Sequence, residues 1–187
     1  MAEEKKRRGR RDHLNDFYRD VSGNYVYTGV CYEHTGGVRA NTALLRSLRL
    51  MAAVMAAAVL AGGCISAPGV GRCFYVLLPY AAQIGVTGSI VWAVARWQVR
   101  EYPLREYIYR ATVQALPGRC LAQAVLAGVG LAAETLYLLL SGSDGHGAAA
   151  VIYLLLQACV LVLALLTRRA VLASDWQPEQ RGGLTTE

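Results

Sequence analysis

The chain has 187 residues, 55% of them hydrophobic and 17% charged, with a formal net charge of +6. The charges are segregated from long apolar runs instead of being spread along the chain, which argues against a conventional soluble domain. The excess of Lys and Arg is a membrane-topology signal, and no nucleic-acid partner is expected from it.

In chain order, residues 1–42 form a cytoplasmic segment, residues 43–169 a four-helix membrane domain and residues 170–187 a cytoplasmic C-terminal tail. The segment opens on KKRRGRR, residues 5–11, read first as a solvated topogenic tail and second as a contact for anionic lipid headgroups. Further on, GNYVYTGVCYEHTGG alternates and is rich in Tyr and Val. This pattern predicts two short strands around Thr28–Gly29, paired as a β-hairpin. An isolated hairpin is marginal in water. It therefore leans on the membrane domain or on a cytoplasmic partner that reads Tyr25, Tyr27 and Tyr32.

Residues 50–71, 73–95, 120–143 and 147–167 hold no Asp, Glu, Lys or Arg apart from Glu134. Each is about the ~20 residues that a helix needs to cross a bilayer. Their apolar residues do not alternate as barrel strands do, and lipid offers backbone amides no partners, so they are read as helices. The fold class expected is an all-α integral membrane protein with spans at about 48–66, 73–96, 119–141 and 147–167. The first run resembles a lipoprotein signal in its basic start and the small residues before Cys64, but Ala61 stands where a branched aliphatic belongs, so the run is read as a span.

Cys64 and Cys73 bound the first outer loop, CISAPGVGRC. A two-helix hairpin can bring their Cα atoms within the ~4.4–6.8 Å of a disulfide, so they are the candidate disulfide, with two unpaired thiols as the alternative. A redox-active pair is disfavoured by the wide spacing and by the lack of cysteine in the second outer loop, SGSDGHG. On the second span, Ala81, Gly85 and Ser89 form a small-residue row, and Pro79, Gln83 and Thr87 a polar row on roughly the opposite side. The connection after it predicts an amphipathic helix in the cytoplasmic interface. It opens at Pro103, carries Leu104, Ile108, Ala111 and Ala115 on one side, and closes before Pro117–Gly118. The third span aligns Gln123, Ala127, Gly130, Glu134 and Tyr137 on one stripe. The fourth carries Tyr153 and Gln157 one turn apart.

Orientation follows from the flanks. Residues 1–49 hold ten Lys and Arg, residues 96–119 five and the tail three, whereas the two remaining loops hold only Arg72. This positive-inside pattern places both termini and the central connection in the cytoplasm, with Trp97 and Trp176 as interfacial aromatics. Within the four apolar runs 50–71, 73–95, 120–143 and 147–167, Glu134 is the only formally charged residue. It lies ~12 Å below the outer end of its helix at 1.5 Å per residue, at a depth close to Gln83 and Gln157. Gln83, Glu134, Tyr137, Tyr153 and Gln157 are thus the candidate intramembrane polar cluster. Asp144 and His146 show no recognised metal-ligand spacing, and no catalytic residue, metal or cofactor is predicted. The function expected is that of a non-enzymatic accessory, assembly or interaction protein of the cell membrane. Its partners are the lipid bilayer and another membrane protein or a second copy of itself. A small proton-coupled transporter using Glu134 is the second reading and a thiol-disulfide redox protein using Cys64 and Cys73 the third.

Overall fold

The computed structural model describes residues 17–19, 25–27, 29–65, 67–99, 102–141 and 147–180. The basic run at 5–11, the side chains of Tyr25 and Tyr27, the turn residue Thr28, and Asp144 and His146 lie outside them. The protein is mostly helical. In chain order come β1 (Phe17–Arg19), β2 (Tyr25–Tyr27), β3 (Val30–His34), α1 (Gly37–Cys64), α2 (Pro68–Arg72), α3 (Phe74–Val99), β4 (Leu104–Arg105), α4 (Glu106–Tyr109), a π-helical turn over Arg110–Gln114, α5 (Leu116–Ser141), α6 (Gly147–Leu172) and β5 (Trp176–Gln180).

Among the described residues, four helices are long and apolar enough to cross a membrane: α1, α3, α6 and the continuous helix Glu106–Ser141. They form a square in which α1 neighbours α3 and α6, and α5 neighbours the same two. The interior takes Leu48, Met55, Ile90, Ala127, Val160 and Ala164. It also takes Gln83, Thr87, Gln123, Glu134, Gln157 and Thr167, while Leu50, Leu60, Leu78, Leu139, Leu155 and Val162 are exposed on the outside. Polar groups inside and leucines outside is the distribution that a lipid surrounding favours, because lipid leaves each polar side chain without a partner.

One end of the bundle is closed by a three-stranded antiparallel sheet of order β4-β3-β5. Central β3 pairs Cys31 with Arg105 and Tyr32 with Leu104 on one side. On its other side the register runs from Val30↔Gln180 to His34↔Trp176. The backbone amide of Thr35 extends the ladder by donating to Asp175 O at 3.0 Å. Pro178 is tolerated because β5 is an edge strand, where a missing N–H costs no ladder bond if it faces outward. Gly37, at φ 70, turns the chain from the sheet into α1 through the left-handed region that favours glycine.

Three sequence expectations change here. The two strands expected around Thr28–Gly29 exist as β2 and β3, but β2 pairs with β1, Phe17 opposite Tyr27, and β3 is the middle strand of the other sheet. Alternation marks a residue run as strand without naming its partner, and both partners of β3 are far away in the chain. The separate interfacial helix from Pro103 to Pro117 is also replaced. Pro103 precedes β4, and from Glu106 the helix continues into the third span. Pro117 sits in the first turn of α5, where a missing N–H is harmless, and the π turn immediately before it shifts the hydrogen-bond register. Finally, Trp97, expected to face the interface, is 2% exposed and is covered by protein, with Trp176 5.6 Å away.

Candidate functional site

The helix periods that bury the core also converge the polar residues. On α3 the inward positions Val76, Pro79, Tyr80, Gln83, Thr87 and Ile90 recur every three or four residues. Gln83 thus points inward, and on α6 the same spacing brings Tyr153 and Gln157 in beside Ala150 and Val160. Gln83 Nε2 donates to Gln157 Oε1 at 2.8 Å, a bond that crosses the diagonal of the square. Gln157 Nε2 in turn donates to the Tyr153 hydroxyl at 2.8 Å. Next to Tyr153, the Tyr80 ring lies 6.3 Å away and its hydroxyl donates to Val59 O at 2.8 Å. A polar chain therefore links α3 and α6, with Tyr80 fixing α3 to α1.

Glu134 does not join that chain. It is fully buried on the inner stripe of α5, with buried Tyr137 one turn further on, and its Oε1 accepts the backbone N–H of Gly69 at 3.3 Å. Gly69 belongs to α2, the short helix inside the connection between α1 and α3, whose Pro68 and Gly69 are buried and which packs on α3 and α5. A Cβ at Gly69 would run into Glu134 Oε2 and lie 3.1 Å from Val76 Cγ2. Glycine is what lets the loop backbone approach the carboxyl. The structure thus splits the candidate cluster into a Gln83–Gln157–Tyr153 chain and a Glu134–Gly69 latch. Among the described residues, Gln83 Oε1 and Glu134 Oε2 have no hydrogen-bond partner, and neither do both amide atoms of the fully buried Gln123.

Cys64 and Cys73 flank the latch. Cys64 ends α1 and is exposed, Cys73 is half-buried, and both are free thiols. Between them, α2 fills the loop, and the Cys73 N–H donates to Gly69 O at 2.9 Å. No protein-family model, curated protein or solved structure matches the chain. Function must be argued from its own residues.

At the opposite end, the sheet gathers an aromatic cluster that sequence reading dispersed over unrelated segments. Tyr32 stacks on Tyr109 with ring centroids 4.1 Å apart and an interplanar angle of 4°. Trp176 meets His34, Trp97 and Tyr109 at 5.3, 5.6 and 5.6 Å. The Tyr102 hydroxyl accepts the His34 N–H at 2.9 Å. Tyr32, expected as a partner-reading tyrosine, is half-buried with its ring against Tyr109. Sequence reading also missed Gly69 as a partner of Glu134. Its only signal was Pro68–Gly69, which reads as a turn and not as a contact.

Proposed function

We propose that this is a non-enzymatic accessory protein of the cell membrane, with both termini and the sheet-capped end in the cytoplasm, which binds another membrane protein through the outward face of α3. The positive-inside distribution supports the orientation. One observation carries the binding reading. Ala81 and Gly85 are exposed and Ser89 is half-buried, and a Cβ built at Gly85 or Gly88 meets nothing within 4 Å. Small residues one turn apart let a second helix backbone approach closely, where van der Waals packing drives association in lipid.

The test is a cysteine at Gly85, in a chain freed of its five native cysteines, oxidised in native membranes. A discrete cross-linked product is expected, and its mass distinguishes a different protein from a second copy. Gly85→Leu should abolish co-purification of that product in mild detergent without lowering the amount of protein in the membrane. A leucine variant that keeps its partner would refute the docking face.

A proton-coupled transporter is the second reading, favoured by the buried Glu134 Oε2 that no described residue partners. The accessory reading gives Glu134 a purely architectural task instead, holding the outer loop to the bundle.

A further inference from the structure

We propose that the first turns of α1 form a binding site for the headgroup of an anionic phospholipid, resting on the membrane reading above. A shallow, open groove of ≈ 530 Å³ lies between side chains of this one helix, lined by Arg39, Arg46 and Arg49 together with Val38, Thr42 and Leu45. Intervals of seven and three residues place the three guanidinium groups on one side of the helix. All three residues are exposed. Among the described residues none of the three meets a carboxylate, unlike Arg110, which pairs with Glu106.

Depth selects the ligand. Arg49 directly precedes the charge-free run that begins at Leu50, so the groove lies where hydrocarbon gives way to headgroups. Exposed Leu50, Val54 and Leu60 continue on the same side of α1. They offer an apolar track for acyl chains below a cationic rim for the phosphate. Guanidinium groups bind phosphate oxygens through paired N–H donors, and anionic lipid attracts juxtamembrane cations. An acidic protein segment would satisfy the arginines but leave the apolar track below them without an occupant.

The measurement is native mass spectrometry of the full chain released from nanodiscs of phosphatidylcholine containing a minority of phosphatidic acid. Wild type should retain one phosphatidic acid. Arg39→Gln/Arg46→Gln should weaken retention roughly 25-fold, at about fivefold per arginine. Arg96→Gln/Arg169→Gln, which removes the same charge from the same end, should leave retention unchanged. Equal loss in both variants would reduce the effect to net charge and overturn the site, as would wild type that inserts but retains no phosphatidic acid. A photo-crosslinking residue in place of Ala43, which also lines the groove, should capture lipid in native membranes. Capture of protein instead would overturn the lipid assignment. A chain that fails to insert into the discs would overturn the membrane reading along with the site.

Discussion

At the scale of single residues, Glu134 and Gly69 form one unit. Glu134→Gln keeps a carbonyl oxygen for the Gly69 amide, so the melting temperature in detergent should stay close to wild type. Glu134→Ala removes the acceptor from a buried N–H, at a cost of about 1–3 kcal/mol. Gly69→Ala should be costly alone, because its Cβ meets the carboxyl, but tolerated once Glu134 is alanine. A double-mutant cycle read by thermal unfolding should give a coupling of roughly 0.5–3 kcal/mol. Additive effects would mean that the latch does not hold the loop. The glutamine variant also separates the two functional readings, since glutamine cannot titrate. A well-folded Glu134→Gln protein that fails to complement a deletion strain would replace the accessory role by proton transport.

At the scale of elements, the sheet is a clasp. β3 precedes the first long helix, β4 lies between the second and third, and β5 follows the fourth, so the strand pairings bind the bundle's connections at one end. Trp176 is the hub, touching His34, Trp97 and Tyr109. Trp176→Ala should cost roughly 2–4 kcal/mol from lost aromatic pairing and burial, read as a fall in melting temperature. Truncation after Asp175 should cost at least as much, because it removes β5 as well. Unchanged melting of the truncated protein would show that the helices hold together without the clasp.

For the whole molecule, the proposed orientation, with four spans and both ends inside, predicts a labelling pattern. In a cysteine-free background, cysteines introduced at Ser66 and Ser143 should react with a membrane-impermeant maleimide in intact cells. One at Ser174 should react only after lysis. Surface labelling at Ser174 would invert the orientation and move the sheet to the outer face.

What the chain determines by itself is the number of long helices and much of which side of each faces inward. Charge-free runs must be helical in lipid, and the stripe Gln123, Ala127, Gly130, Glu134, Tyr137 is buried as its period demands. That reasoning is local, and it stops where contacts are made between distant segments. On α3 two rows were equally legible. Packing alone decided that Pro79, Gln83 and Thr87 turn inward while Ala81 and Gly85 turn outward. Tertiary structure also decided that Glu134 bonds to a loop amide and not to the glutamines at similar depth. Similar depth still leaves open which groups face each other across the bundle. The sheet shows the same limit: five residues of β3 find partners more than seventy and more than one hundred and forty positions away. Strand propensity is a property of a segment, but pairing depends on which segments the helices bring together, and that geometry exists only in the assembled bundle.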